Sequence, residues 1–241
     1  MVKIAQLNEV VAEVKRNLEK DASPKRAVFE RGYHKSSLTF LGANVPSQQR
    51  EGKRLVREGK AMDRAALLAL EAELWNSDIH ELRGVACHLL CAKSNLLEET
   101  DIEFLRQRIV SAGGWAHVDT LSVHCVGPLI ERLNLHDHLD AWAKDECFWV
   151  RRASMLALLK PLSGGNLSQW GRFTTYASTM MEEKEFFIRK AIGWILREVS
   201  KKNPDHVFAF LSEETDRVSG LTRRVGAKYL SLDMRSKLGL S

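Results

Sequence analysis

The stretch Phe148-Trp149-Val150-Arg151-Arg152-Ala153 has the same chemical order as Phe186-Phe187-Ile188-Arg189-Lys190-Ala191, 38 residues later: two aromatics, a β-branched residue, two basic residues, an alanine. A weaker copy, Leu221-Thr222-Arg223-Arg224, follows a further 34 residues on. The surrounding apolar residues keep a helical period, and Ile188, Ile192, Ile195 and Val199 fall in one narrow arc at 100° per residue. A helical repeat of this length predicts pairs of helices, each pair burying its apolar face only by stacking on its neighbours. The expected fold class is therefore all-α, an α-solenoid whose inner helices line a concave surface. Basic pairs returning once per repeat would make that groove basic. The alternative for each pair is one residue solvating a helix face while the other packs its alkyl stem.

Working outward, the same periodicity predicts helices near 3–19, 24–32, 47–60, 63–76, 78–93, 100–112, 115–126, 128–143, 147–160, 167–181, 185–202, 204–212 and 219–231. No convincing strand alternation interrupts them, and the longest irregular stretches fall near 34–46 and 161–167. This organisation reads as a single domain of HEAT-like helical pairs over 1–241, with the N-terminal helices, about 1–32, packing on the repeat stack.

The chain has 241 residues, 44% of them hydrophobic and 28% charged, which excludes a mostly disordered chain and a small disulfide scaffold. It contains no apolar run long enough for a membrane span and no signal-peptide order at its start, so it is expected in the cytoplasm with no membrane partner. The net charge of +5 is uneven: residues 1–150 carry 20 basic and 22 acidic side chains, residues 151–241 carry 16 and 9. A basic carboxyl-terminal third suits a polyanion such as nucleic acid, although a solvated basic face gives the same count. Cys87, Cys91, Cys125 and Cys147 lie among apolar neighbours, and buried free thiols are the expected state. Cys87, His88 and Cys91 are too few for a zinc site. No phosphate-cradling glycine loop, nucleophile elbow or metal motif is present, so no cofactor is expected.

Two segments hold residue types suited to chemistry. Trp194 lies off the buried arc of its helix, between Phe187 and Lys190, where it either offers an exposed aromatic face or packs on the adjacent repeat. After Gly113-Gly114, Trp115 and Asp119 stand four apart on one helix face. An indole face and a carboxylate together can hold a developing cation. Asp119 can equally cap a neighbouring helix or pair with an arginine such as Arg152. His117 reads as a surface histidine, and Trp75, Trp142 and Trp170 as packing residues.

These residues resemble the DNA alkylation repair family of AlkD-type DNA glycosylases. The resemblance rests on Trp115-x-x-x-Asp119, the helix of Phe148 to Arg152, the run from Lys184 to Glu198, and Phe40-Leu41-Gly42 with Pro46, and it extends from about Tyr33 to Tyr229. It implies a HEAT-like solenoid that excises cationic alkylpurines such as 3-methyladenine and 7-methylguanine from duplex DNA, acting as a monomer without cofactor. By position it makes Asp119 the catalytic carboxylate, and Trp115 and Trp194 the aromatics against the lesion-bearing deoxyribose. Arg152 and Tyr33 become DNA contacts, and Lys160 and Arg197 basic positions reaching phosphates. Together with the repeat, which adds Arg151, Arg189 and Lys190, these form the expected DNA-binding set. The family commonly reads Trp-Asp-x-Val-Asp with a second aromatic before the tryptophan; here Ala116 and Gly114 occupy those positions.

Three function classes follow. The resemblance implies a monofunctional alkylpurine glycosylase of base excision repair. The altered motif suits a non-catalytic protein that binds distorted or branched DNA. A protein-binding scaffold is the commonest use of such a stack, but the basic pairs and the off-arc Trp194 argue against it.

Overall fold

Several helices begin where a polar side chain accepts a backbone donor left open by the first turn. In the computed structural model, which describes residues 4–34 and 36–240, Asn44 accepts from Ser47 N–H, Asp63 from Ala66 N–H, Glu185 from Phe187 N–H, Ser219 from Thr222 N–H and Ser231 from Met234 N–H. The chain is all-α, as expected. Among the described residues no strand forms, and the one isolated β-bridge joins Thr39 to Ile79. No described helix is long and apolar enough to cross a membrane. The chain divides into two compact units, Met1–Leu129 and Ile130–Ser241.

The first unit contains α1 (Ile4–Glu19), α2 (Pro24–His34), α3 (Val45–Glu58), α4 (Arg64–Trp75), α5 (His80–Ala92), α6 (Ile102–Val110) and α7 (Trp115–Leu121), and α8 (Gly127–Leu133) begins in it. Helices α3, α5 and α7 pack in succession, while α1 packs on α3 and α4. Leu67, Leu74, Val85, Leu89, Leu105, Ile109 and Leu121 fill the space between them.

The second unit contains α9 (Asp137–Trp142), α10 (Phe148–Leu156), α11 (Leu159–Ser163), α12 (Trp170–Thr179), α13 (Phe186–Ser200), α14 (Pro204–Glu213), α15 (Gly220–Gly226) and α16 (Leu232–Lys237). Here α10, α13 and α15 pack in succession. Ile188, Ile192, Ile195 and Val199 are all buried, as the arc on α13 requires. Gly193 and Gly226 bring α13 and α15 close: a Cβ on Gly193 would lie 3.0 Å from the Val225 Cβ, and one on Gly226 3.0 Å from the Leu196 Cβ.

Side-chain bonds return at the repeat length. Arg64 binds Asp101 and Arg108 binds Glu71 in the first unit; Tyr176 binds Asp140 and Ser178 binds Glu214 in the second, at separations of 36 or 37 residues. Several predicted boundaries differ, and the helix expected over 147–160 divides into α10 and α11. The helix expected over 128–143 breaks at Asn134, which adopts a left-handed φ of 55°, a conformation asparagine tolerates better than most residues. Helix α16 lies beyond the last predicted helix.

The Arg108–Glu71 pair is the most deeply placed ion pair of the first unit. Glu71 has no solvent exposure and takes both Nε and Nη2 of Arg108, at 2.9 and 2.8 Å. Burial pushes the Glu71 carboxyl up and the guanidinium holds it down, burial being the larger influence. Arg108→Ala strands this carboxylate in the core and is expected to lower stability by about 3–5 kcal/mol, read from urea unfolding midpoints.

Candidate functional site

The turn entering each inner helix leaves carbonyls that the preceding outer helix cannot satisfy. A side chain in the first turn of the inner helix takes them. Arg83 donates to Ser77 O at 2.8 Å. His117 places Nδ1 2.9 Å from Ala112 O. Arg151 donates to Asp145 O and Glu146 O, Arg189 to Glu183 O, and Arg223 to Thr215 O. Arg151 also forms a two-bond pair with Glu183.

Of the basic pairs expected at phosphates, the first members Arg151 and Arg189 hold turn carbonyls, and Arg223 does the same. Lys190 and Arg224, the second members of two of the pairs, are exposed, with no ion pair among the described residues, whereas Arg152, the second member of the first pair, is buried. His117, expected on the surface, is 3% exposed and belongs to the same series. The signal was in the spacing: Arg83, His117 and Arg151 stand 34 residues apart.

In the first unit, Gly113 turns the chain into α7 with a positive φ of 71°, and a Cβ there would meet the Leu38 side chain at 3.1 Å. Trp115 then opens the helix and Asp119 follows one turn later; both are half-buried. Tyr33, 62% exposed at the end of α2, meets the Trp115 ring edge-on with centroids 5.7 Å apart. The fold thus brings together Tyr33 and Trp115, which lie in separate stretches of the sequence. A π-helical turn, Ser122–Val126, continues α7, with Ser122 Oγ donating to Val118 O.

Sequence reasoning missed what lies behind Trp115. His34 stacks on its indole at 4.8 Å and 22°. Phe40 and His80 stack at 4.4 Å, His80 and His117 lie 4.4 Å apart, and His117 meets Trp75 edge-on. A continuous run of rings therefore leads from exposed Tyr33 to the core. Burial lowers the pKa of all three histidines, His80 to about 2 and His117 to about 4; for His80 the neighbouring histidines add to the effect. The imidazole behind Trp115 is thus neutral near pH 7, leaving the indole face electron-rich and able to receive a cation. The loop carrying Phe40 is held by buried Glu81, whose carboxylate accepts from the N–H groups of Leu41, Gly42 and Ala43.

In the second unit, Arg152 is 4% exposed, donates to Phe187 O and lies over the Phe187 ring. Phe148, Trp149 and Phe187 cluster beside it. This position ties α10 to α13. Trp194 is half-buried on α13. Arg197 is partly exposed and doubly bonded to Glu198, whereas Lys160 on α11 is exposed. Trp75 and Trp142 are buried, as expected, and Cys87 and Cys125 are buried free thiols; Cys91 and Cys147 are only partly so. No group of three metal-ligating side chains is found among the described residues.

Comparison with known proteins gives a consistent family. The model of the family described as DNA alkylation repair enzyme matches residues 14–230. A solved structure from Enterococcus faecalis, described as a predicted DNA alkylation repair enzyme, superposes with a TM-score of 0.76 at 25% identity, covering 88% of this chain and 98% of that one. AlkD2 from Streptococcus mutans superposes at 0.69 with 16% identity, covering 93% and 99%. The smu.31 protein of Streptococcus mutans UA159 superposes at 0.63 with 19% identity, covering 92% and 100%. The last two likenesses are of fold. No curated protein matches the chain.

The buried histidines set a pH dependence. Their folded pKa values lie below the unfolded value near 6.5, so below that pH the unfolded chain binds more protons and stability falls. At pH 5, His80 and His117 are each expected to have lost about 2 kcal/mol of the stability present at pH 7 and above. Urea midpoints between pH 5 and 7 should show this slope, and His117→Gln should flatten it.

Proposed function

We propose, on the premise that this chain belongs to the DNA alkylation repair enzyme family, that it is a monofunctional glycosylase acting on cationic alkylated purines in duplex DNA. The observation that carries this reading is the pairing in the first unit of an indole face, backed by a neutral imidazole, with a carboxylate one turn away.

Alkylation at N3 or N7 gives the purine a positive charge, so it leaves as a neutral base and needs no general acid. The barrier lies in the oxocarbenium character that develops at the sugar. Trp115 offers its electron-rich face to that charge and the Asp119 carboxylate stabilises it. As the glycosidic C–N bond breaks, water adds to C1′ and Asp119 accepts its proton. Tyr33 stands at the edge of the same aromatic surface, where it reaches the DNA backbone. Trp194 is proposed as a further aromatic surface against the deoxyribose, and Lys160, Lys190 and Arg197 as phosphate contacts that fix register without reading sequence. Arg152 enters as a positioning residue. The protein is proposed to act in the cytoplasm as a monomer on alkylated duplex DNA, in base excision repair.

A second reading, binding of distorted or branched DNA without excision, is favoured by Ala116 and Gly114, which replace the acidic and aromatic residues common in the family.

Asp119→Asn is expected to lower release of 7-methylguanine from methylated duplex by about 10²–10⁴-fold while leaving duplex affinity intact. The measurement is free base by chromatography beside binding by fluorescence anisotropy. Duplex affinity without base release in the wild-type protein supports the second reading.

A further inference from the structure

A buried ring nitrogen normally finds a hydrogen-bond partner. Among the described residues His34 Nδ1 is the one histidine nitrogen that is shut off from solvent and has none. The ring is held by other rings instead. It stacks on the Trp115 indole at 4.8 Å and 22° and on Phe40 at 5.6 Å and 23°, and His80 lies 4.9 Å away.

This setting accepts a neutral imidazole and penalises a charged one. In the imidazolium both nitrogens donate, so Nδ1–H would be buried with no acceptor. The elements packed on the ring carry charges committed elsewhere. Glu30, one turn earlier on α2, pairs with Arg26. On α5, Glu81 accepts from the N–H groups of residues 41–43, and Arg83 donates to Ser77 O and Ser111 O. On α7, His117 lies behind His80, and Asp119 follows Trp115 by one turn. Segment 36–44 brings no charged side chain. No hydrogen bond or ion pair among the described residues reaches the His34 imidazole. Burial accordingly lowers its pKa from the ordinary 6.5, so the ring gains its charge only as pH falls below that value.

We infer that His34 is a positioning residue that sets the preference of Trp115 for positive charge: with the ring neutral the indole receives the cationic sugar, and with the ring protonated it does not. An imidazolium stacked on the indole takes up the attraction of its π-system and repels a second cation brought to the same ring. The inference rests on the glycosylase reading for the identity of that cation. It adds to that reading a residue through which proton concentration controls the site.

The test is equilibrium binding to two duplexes of one sequence, followed by fluorescence anisotropy. One carries a cationic pyrrolidine in place of the target deoxyribose and the other a neutral tetrahydrofuran, so the ratio of their affinities cancels the phosphate contacts and reports the charge preference. In the wild-type chain this ratio is expected to fall by about 3–30-fold between about pH 7.5 and about pH 5. His34→Phe keeps Asp119, His80 and His117 but replaces the ring by one that does not titrate, and its ratio should stay constant over the same range. His34→Arg, a permanent cation at this position, should give a low ratio at every pH. Circular dichroism at each pH restricts the comparison to folded protein. A second measurement needs no variant in the binding step: by reciprocity, the NMR titration midpoint of the His34 ring should move to lower pH with the pyrrolidine duplex than with the tetrahydrofuran one. A wild-type ratio that is constant with pH, one that falls equally in His34→Phe, or a midpoint that is the same with both duplexes overturns the inference. The two readings fail separately. Base release by the wild-type protein with the same ratio profile in His34→Phe removes the role of His34 alone, and a pH-dependent ratio without base release removes the glycosylase alone.

Discussion

The turn before each inner helix is where this architecture is most exposed to failure, because the outer helix ends there and its last carbonyls point to no partner. The side chain that returns from the next helix to take those carbonyls is what makes a stack of short helices tenable. Arg83, His117, Arg151, Arg189 and Arg223 perform the same task, and each fixes the start of its helix relative to the turn it follows. Four of the five are arginines, whose forked donors reach two carbonyls at once where the turn offers them, as Arg151 does. His117 offers two nitrogens instead, one toward Ala112 O and one 3.1 Å from His80 O, and a neutral ring can donate to only one of them. Of these five turns, the one without an arginine is the one beneath Trp115 and Asp119.

That substitution shapes the chemistry above it. An arginine at position 117 would place a permanent cation near the indole. The neutral histidine carries no such charge, and its contact with His80 continues the run of uncharged rings up to Trp115. The basic residues are thus sorted by depth: those inside hold backbone, and those left outside, Lys190, Lys160 and Arg224, give the second unit its positive surface.

Much of the fold could be read from the sequence because it repeats. The match between 148–153 and 186–191 set the helix pairing, and the α13 arc gave its buried face residue by residue. The break at Asn134 was harder to see, since a single left-handed residue interrupts an otherwise continuous apolar period. At the candidate site, Trp115 and Asp119 carry a local signal of spacing and type, whereas Tyr33 entered only through the family resemblance. The histidines were not legible, because His34, His80 and His117 come from three separate segments and only the folded chain stacks them. The two halves of each basic pair look alike in sequence. Their difference arises from helical rotation: the first position faces the turn behind it, and the next faces solvent at Lys190 and Arg224 but is buried against Phe187 at Arg152.

The bonds that stitch neighbouring repeats, from Arg64–Asp101 and Glu81–Leu41 in the first unit to Ser178–Glu214 in the second, join residues 36 to 40 positions apart. Contacts of that range are complete once the following repeat has been made. The chain can therefore acquire its structure in the order in which it is synthesised, each pair of helices finding its partner as it leaves the ribosome, without waiting for a distant terminus to return.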